Sequence, residues 1–254
     1  MPSPPQPLRS AAARALRHES RAADALRPLK LSPDWSRHAE GSCLVEWGDT
    51  TVLCTASLEE FVPPWLRGGG SGWVTAEYAM LPRATHKRKE RDGRRGKADG
   101  RAIEIQRLIG RSLRAVVDLR ALGERSITLD CDVLQADGGT RCASIVGAWV
   151  ALHRALSRSR RPEARQDFPL KSGVAAASVG LFEDQMLLDL DYREDSRASL
   201  DATIVMSEGG KLIELHAGGE GATFERAQLD ALLDLAQGGI ETILQLQRQA
   251  AAQP

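Results

Sequence analysis

The sequence predicts an α/β fold, of the α+β kind, made of two similar subdomains in which strands come first and a helix follows. Two observations predict this fold class. Segments with alternating apolar and polar residues occur in both halves, and each group of them precedes a segment with apolar residues at helical spacing. A polar, proline-containing stretch separates the two groups. We expect a variable tail at 1–20, a first subdomain at 21–156, a linker at 157–172 and a second subdomain at 173–250.

The first half is predicted to contain a hairpin, two further strands and two helices. Two apolar runs around the Gly48-Asp49 turn predict the hairpin. A single apolar stripe with arginines off it predicts the first helix. In chain order, we expect a hairpin at 42–57, a strand at 73–78, a helix from about Arg101, a strand at 126–134 and a helix after Gly138-Gly139.

The second half is predicted to contain four strands and a C-terminal helix. The strands are expected at 173–181, 185–192, 202–207 and 211–216. Thr223 is a suitable residue to cap the helix. The Gly238-Gly239 pair is expected to loosen the helix midway, because glycine is a poor helix former.

The composition of the 254-residue chain is that of a globular protein, with 42% apolar residues. No apolar stretch approaches the roughly 20 residues of a membrane helix, and no signal-peptide core is visible, so we expect a cytoplasmic protein without membrane association. Basic and acidic residues number 34 each, so any attraction to nucleic acid must be local. The cysteines lack zinc-type spacing and are expected to be reduced core residues: Cys43, Cys54, Cys131 and Cys142.

The most informative segment is an alternating strand that ends in Asp137-Gly138-Gly139-Thr140-Arg141 and passes directly into a helix. A helix N-terminus carries unpaired backbone N–H groups and the positive end of the helix dipole, so it favours an anion such as phosphate. Thr140 adds a hydroxyl group and Arg141 a positive charge. The alternative is a plain strand-to-helix turn, in which the glycines permit positive φ and Asp137 or Thr140 caps the helix.

A local excess of positive charge lies between Arg83 and Arg101, where the chain has nine basic and three acidic residues. Such a patch can displace counterions from a phosphate backbone, which suggests an RNA contact. Aromatic residues make up only 4% of the chain, so recognition of a single-stranded backbone is a better model than base stacking on an aromatic sheet. The alternative is a solvated charged loop.

Carboxylates are concentrated in the second half. Asp189 and Asp191 share one face of a predicted strand, Asp195 follows that strand, and Asp201 begins the next one. Oxygen ligands of this kind suit Mg²⁺ or Mn²⁺, and one member of a close pair can stay protonated and act as an acid. The alternative is surface aspartates that flank a turn. No nucleophile elbow or serine triad is visible, so a nucleophile would arrive with the substrate.

The chain closely resembles the ribonuclease PH family of phosphate-dependent 3′ exoribonucleases, which trim transfer RNA precursors. The resemblance extends from about Arg21 to Ile243, and many short segments carry it together. These segments are His38-Ala39-Glu40-Gly41-Ser42, Gly48-Asp49-Thr50, Val52-Leu53-Cys54-Thr55-Ala56-Ser57, Thr75-Ala76-Glu77-Tyr78, Met80-Leu81-Pro82-Arg83, Glu104-Ile105-Gln106-Arg107-Leu108-Ile109 and Leu129 through Arg141.

The resemblance implies roles for particular residues and an assembly. The implied residues are, for orthophosphate, Arg101, Gly139, Thr140 and Arg141; for Mg²⁺ and catalysis, Asp195 and Asp201; and for transfer RNA, Arg83, Arg88 and Arg91. The implied fold is a ribonuclease PH-like pair of α/β subdomains, with mixed β-sheets packed on helices. The implied assembly is a homo-oligomer, a hexameric ring built as a trimer of dimers.

The resemblance further implies a reaction in which orthophosphate is the co-substrate and Mg²⁺, or Mn²⁺, the cofactor. Phosphate attacks the last internucleotide bond of a transfer RNA precursor and releases a nucleoside diphosphate. The sequence leaves two alternatives: a non-catalytic RNA-binding subunit of an exosome-like ring, and an oligomeric scaffold whose basic tract is incidental. The chain departs from its relatives at His216-Ala217-Gly218-Gly219, which could loosen a strand end near the carboxylates or repack locally.

Overall fold

In the computed structural model, the described residues are 17, 21–91, 99–159, 167–219, 221 and 223–253. The elements of the first half are β1 (Leu29–Pro33), β2 (Gly41–Trp47), β3 (Thr50–Glu59), a 3₁₀ turn (Pro64–Leu66), β4 (Trp73–Met80), α1 (Gly100–Arg114), α2 (Leu119–Leu122), β5 (Ser126–Gln135) and α3 (Thr140–Arg158). The five strands form one mixed sheet in the order β1-β2-β3-β5-β4. Only the β4–β5 pair is parallel within this sheet.

The second half contains a smaller sheet. Its elements are β6 (Val174–Phe182), β7 (Gln185–Leu188), α4 (Tyr192–Asp195), β8 (Leu200–Ser207), β9 (Lys211–Gly218) and α5 (Arg226–Ala251). The four strands lie in the order β7-β6-β8-β9, and each described neighbour pair is antiparallel. The predicted α/β fold with two subdomains is confirmed, but this second sheet is antiparallel rather than mixed.

Helix α3 lies between the two sheets and contacts both, with β2 and β3 on one side and β6 on the other. It is buried on nearly all sides, as expected for a helix covered from two directions. A Cβ added at Gly147 would lie 2.4 Å from Val45 Cγ2, so this close approach to the first sheet requires glycine. Helix α1 covers β4, and α5 covers β6, β7 and β8. One continuous apolar core therefore joins the two halves.

Helix α1 begins where the sequence predicts. Asp99 caps it by accepting a hydrogen bond from the backbone N–H of Arg101 at 3.1 Å. The apolar stripe of this helix is buried against the core. All four cysteines are buried and free, as predicted. Among the described residues, the helices are all too short or too polar to cross a membrane.

The segment after β7 differs from the predicted strand at 185–192. The strand ends at Leu188, because Asp189 adopts a left-handed backbone conformation with φ of 57°. Asp191 then caps the single turn of α4 by accepting a hydrogen bond from the backbone N–H of Glu194 at 2.9 Å. Alternation of side chains suggested a longer strand, but local capping and the left-handed residue end it early.

The C-terminal helix also differs in two details from its prediction. Its cap is Glu225, which forms a reciprocal capping box with Gln228, and not Thr223. The helix continues through Gly238-Gly239 without a break, because burial of the following turn outweighs the low helix propensity of glycine. At the departure from the family pattern, β9 continues to Gly218, which pairs with Asp201, so the strand end is not loosened there.

Asp189 joins the two halves through a buried network of hydrogen bonds. Arg27, which precedes β1, donates to its carboxylate through Nε at 3.1 Å, through Nη2 at 2.7 Å and through the backbone N–H at 2.7 Å. Trp47, at the end of β2, donates through Nε1 to Asp189 Oδ2 at 2.9 Å. The network ties the second half to the edge of the first sheet.

We expect Asp189→Asn to reduce the free energy of unfolding by about 3–5 kcal/mol, because it leaves the buried Arg27 cation without its anion and presents an amide to N–H donors. Urea denaturation of the variant and the parent measures this loss. Asp184→Asn is the matched control, because Asp184 has a similar positive φ of 61° but is exposed. Equal stabilities of the two variants would contradict the assigned role of the network.

Candidate active site

A cavity of about 650 Å³ lies where the two halves meet. The first half contributes basic residues of the segment after β4, Arg101 at the start of α1, and the turn before α3. The second half contributes residues of α4 and the start of β8. The residues most relevant to chemistry are Lys87, Arg88, Lys89, Arg101, Gly138, Gly139, Thr140, Arg141, Tyr192, Asp195 and Asp201.

The turn between β5 and α3 has a backbone that favours glycine. Gly138 and Gly139 have φ of 76° and 66°, and Gly139 is the N-cap of α3 with no side-chain cap. Thr50 holds the turn, since its hydroxyl accepts from the Asp137 N–H at 2.9 Å and donates to the Gly138 carbonyl at 2.7 Å. A Cβ at Gly138 would lie 2.6 Å from the Leu190 carbonyl oxygen. The first turn of α3 therefore faces the cavity with its N–H groups available to an anion.

Two cations and a hydroxyl accompany this helix start. Arg141 is oriented by Glu104 of α1, whose Oε2 accepts from Arg141 Nη2 at 2.6 Å. Thr140 is mostly buried, and its Oγ1 lies 3.0 Å from the Tyr78 hydroxyl. The Arg101 side chain is exposed, and its guanidinium has no hydrogen-bond or ion-pair partner among the described residues. Its guanidinium is therefore available to bind an anion in the cavity.

Two carboxylates face these cations from the second half. Burial raises the pKa of Asp195, the nearby charge of Asp201 raises it further, and Arg101 and Arg141 oppose the rise. Both carboxylates line the same cavity as the two arginines. Although Asp195 remains open to the cavity, it holds a proton to higher pH than an ordinary aspartate.

The donor set at this point fits a divalent cation only if the substrate completes it. Within the described ranges, no group of three or more His, Cys, Asp or Glu side chains could bind a metal by itself. Asp195 and Asp201 supply two carboxylates, and Mg²⁺ is usually bound by one or two carboxylates together with substrate phosphates and water. The residues present therefore fit Mg²⁺ in a complex with phosphate and RNA.

The other two aspartates considered as ligands are not available to a metal. Both oxygens of Asp189 accept hydrogen bonds from Arg27, and Oδ2 also accepts one from Trp47. Asp191 is buried and caps α4. The interpretation of this pair as Mg²⁺ ligands is therefore wrong: one carboxylate belongs to an arginine network and the other to a helix cap.

The basic tract divides into three parts. Arg88 lines the cavity together with Lys87 and Lys89. Arg83 and Arg91 are exposed and lie outside the cavity lining. Apart from Arg101, which lines the cavity from α1, the remaining basic residues of the tract lie outside the described residues: Arg94, Arg95 and Lys97.

Three residues of the site did not emerge from the sequence. Tyr78 occupies the buried face of β4, where a period-two pattern indicates only a core position. Glu104 looks like any polar residue of α1, and Thr50 looks like a turn residue. Since their partners lie 62, 37 and 88 residues away, only the assembled fold brings each pair together.

Comparisons with known proteins agree with this arrangement. The family model described as 3′ exoribonuclease family, domain 1, matches residues 25–156, and the model described as 3′ exoribonuclease family, domain 2, matches residues 173–239. The chain therefore belongs to the 3′ exoribonuclease family.

Curated relatives define the branch of that family. Proteins named Ribonuclease PH from Methylocella silvestris and Methylorubrum populi are 57% and 58% identical to this chain over 237 residues, which cover 93% of this chain and 100% of each relative. A third, from Methylobacterium radiotolerans, is 56% identical with the same coverage. The predicted membership in the ribonuclease PH family is confirmed.

Solved structures show the same fold at low sequence identity. The crystal structure of rice (Oryza sativa) Rrp46 has a TM-score of 0.75 and 18% identity, covering 92% of this chain and 100% of that chain. A structure described as the Archaeoglobus fulgidus exosome with RNA bound to the active site has a TM-score of 0.75 and 22% identity, covering 90% and 91%. These likenesses concern the fold alone.

Burial raises the pKa of Tyr78, so its hydroxyl stays protonated and can fix the orientation of Thr140. We expect Tyr78→Phe to raise the KM for orthophosphate by about 2- to 10-fold, which corresponds to one lost hydrogen bond. Initial rates at varied phosphate measure this. Ser112→Ala is the control, since it removes a buried hydroxyl that donates to the Leu108 carbonyl at 2.7 Å and does not line the cavity. Equal effects in both variants would contradict the role given to Tyr78.

Proposed function

We propose that this chain acts as a phosphate-dependent 3′-to-5′ exoribonuclease that trims the 3′ ends of transfer RNA precursors and releases nucleoside diphosphates. The chemistry is a reversible nucleotidyl transfer. One observation carries the proposal: a glycine-rich helix start with two arginines faces a pair of carboxylates across one cavity. The full-length identity to proteins named Ribonuclease PH supports the same conclusion.

Orthophosphate binds at the start of α3 in this proposal. The backbone N–H groups after Gly139, the Thr140 hydroxyl and the guanidinium groups of Arg101 and Arg141 hold it. Glu104 keeps Arg141 oriented by the hydrogen bond described above. Bringing a phosphate ion to an RNA backbone joins two anions, so preorganised positive groups lower the barrier by electrostatics and by positioning.

In the chemical step, an oxygen of bound phosphate attacks the phosphorus of the last internucleotide bond. A new P–O bond forms to the nucleophile, and the bond from phosphorus to the 3′ oxygen of the penultimate nucleotide breaks. Asp195 donates its proton to that departing oxygen. The products are a nucleoside diphosphate and an RNA one residue shorter, and in the reverse direction the Asp195 carboxylate accepts the proton.

Asp201 would hold Mg²⁺, or Mn²⁺, while Asp195 carries the proton, and the metal would supply charge neutralisation for the phosphoryl group in transfer. Lys87, Arg88 and Lys89 at the cavity bind the RNA backbone. Arg83 and Arg91 extend this contact beyond the cavity to the body of the transfer RNA.

The assembly proposed for the working enzyme is a homo-oligomer, a hexameric ring of three dimers, in the cytoplasm. The likeness of fold to subunits of exosome rings supports a ring. A non-catalytic RNA-binding subunit of such a ring is less well supported, because this chain keeps both carboxylates and the phosphate-binding residues in one cavity.

A product assay tests the proposal. Purified protein is incubated with a 3′-extended transfer RNA and Mg²⁺, with and without orthophosphate, and the released mononucleotides are identified. We expect nucleoside diphosphates that form only with phosphate. Nucleoside monophosphates would indicate hydrolysis instead, and RNA binding without products would favour the inert ring subunit.

The same assay at limiting phosphate tests whether Arg101, unlike another arginine of α1, contributes to phosphate binding. We expect Arg101→Ala to raise the KM for orthophosphate roughly 10- to 100-fold, because it removes charge-assisted hydrogen bonds. Arg107→Ala is the control, since Arg107 is exposed on the same helix but does not line the cavity. Full activity of Arg101→Ala at limiting phosphate would remove Arg101 from the site.

The raised pKa of Asp195 predicts a specific pH dependence. The acid must be protonated to act, so kcat of the parent should fall as pH rises through that raised pKa. Asp195→Asn should lower kcat by about 10²- to 10⁴-fold and lose this alkaline limb. An unchanged profile with a near-normal rate would exclude proton transfer by Asp195. Asp234→Asn, at an exposed site on α5, should leave the profile unaltered.

A further inference from the structure

The carboxyl group proposed as the acid lies on an element with little support of its own. Helix α4 is a single turn of four residues, Tyr192–Asp195. It begins three residues after Asp189, which has a left-handed backbone conformation. A helix this short is not stable by its own hydrogen bonds. Its position, and with it the position of Asp195, depends on tertiary contacts.

Those contacts come mainly through Glu194, the neighbour of Asp195. Glu194 is only 5% exposed, and its Oε2 accepts from the backbone N–H of Asp191 at 3.0 Å. Arg17 approaches the same carboxylate with two groups: Nε donates to Oε1 at 2.6 Å, and Nη2 donates to Oε2. Arg21 Nη2 lies 3.4 Å from Oε2. The guanidinium of Arg17 thus forms a bidentate ion pair with the buried carboxylate of Glu194, 177 residues away in the sequence.

Arg17 also fixes the segment that leads into α4. Its Nη1 donates to the Leu188 carbonyl at 2.7 Å, and its Nη2 donates to the Asp189 carbonyl at 2.9 Å. The Arg17 side chain, which is 3% exposed, therefore binds the end of β7 and the single turn of α4 at once. Because the guanidinium of Arg17 is planar and rigid, these simultaneous hydrogen bonds fix the position of α4 relative to the end of β7.

We propose that Arg17 is a positioning residue for the reaction, which holds Asp195 at the scissile bond by locking Glu194 against the end of β7. This inference rests on the proposed function, because it takes Asp195 as the acid. Arg17 does not line the cavity, and the residues proposed to bind phosphate belong to α1 and α3 of the first half. Its loss should therefore affect the chemical step and spare phosphate binding.

The test compares kcat and KM for Arg17→Ala. We expect kcat at saturating phosphate and RNA to fall by about 10-fold or more, since a displacement near 1 Å of a reacting group has effects of this size or larger. The KM for orthophosphate should stay within about twofold of the parent, because the residues that bind phosphate are untouched. A parallel rise in KM, or an unchanged kcat, would overturn the proposal.

Two further measurements separate positioning from a loss of folding. Orthophosphate should raise the Tm of Arg17→Ala by the same amount as it raises the Tm of the parent. This shift measures phosphate binding without any turnover. If Arg17→Ala does not fold, Arg17→Lys replaces it: lysine keeps the charge but loses the fork, so kcat should still fall severalfold with the Tm shift preserved. Parent-like kcat in a folded Arg17→Lys would then overturn the proposal.

A double-mutant cycle identifies Glu194 as the intermediary. If Arg17 acts through Glu194, the variant with both Arg17→Ala and Glu194→Gln should have a kcat close to that of the worse single variant. Losses that multiply would show that Arg17 acts by another route. Arg197→Ala is the matched control, because it breaks an exposed pair with Glu183 next to the same helix and should leave kcat unchanged.

The outcomes also separate this inference from the proposed function. If the parent enzyme releases no diphosphates with phosphate, the proposed function fails. If the parent is active and Arg17→Ala keeps the parent kcat, only the positioning role fails.

Discussion

Asp189 ends β7 in a left-handed conformation and accepts hydrogen bonds from Arg27 and Trp47 of the first half. Burying these ions costs desolvation energy, so the network contributes geometry more than net stability. It fixes where the chain turns after β7, and that turn determines where α4 begins. The Leu190 carbonyl then lies close to Gly138, so the turn after β7 contacts the turn before α3. The start of α4 therefore depends on where this one carboxylate is held.

The two halves divide the charges of the site between them. Arg101 and Arg141 come from helices of the first half, and Asp195 and Asp201 come from the second. In the proposed mechanism, the first half binds phosphate and the second half protonates the leaving group, so neither half could do both. The same division explains why burial and a neighbouring carboxylate can raise the pKa of Asp195 while arginines remain close.

Local pattern was sufficient to predict most elements of the first half, although it missed the strand β1 and the short helix α2. The hairpin around Gly48-Asp49, the start of α1 and the strand before Gly138-Gly139 follow from turn residues, an apolar stripe and alternation, which act over a few residues. The predictions were wrong where contacts between residues far apart in the sequence determine the structure. Asp189 looks like a strand carboxylate until Arg27 is in position, and Asp191 looks like one until it caps α4. Resemblance to a family, rather than spacing, carried the assignment of Arg101, Asp195 and Asp201.

The burial of α3 between the two sheets has a consequence for how substrate enters the cavity and how product leaves it. The two halves share one apolar core, so a hinge motion that separated them would expose that core to water. In the proposed function, RNA therefore enters and leaves a cavity of about 650 Å³ whose two sides are held by one shared core. Exchange of substrate and product then does not require the two halves to separate.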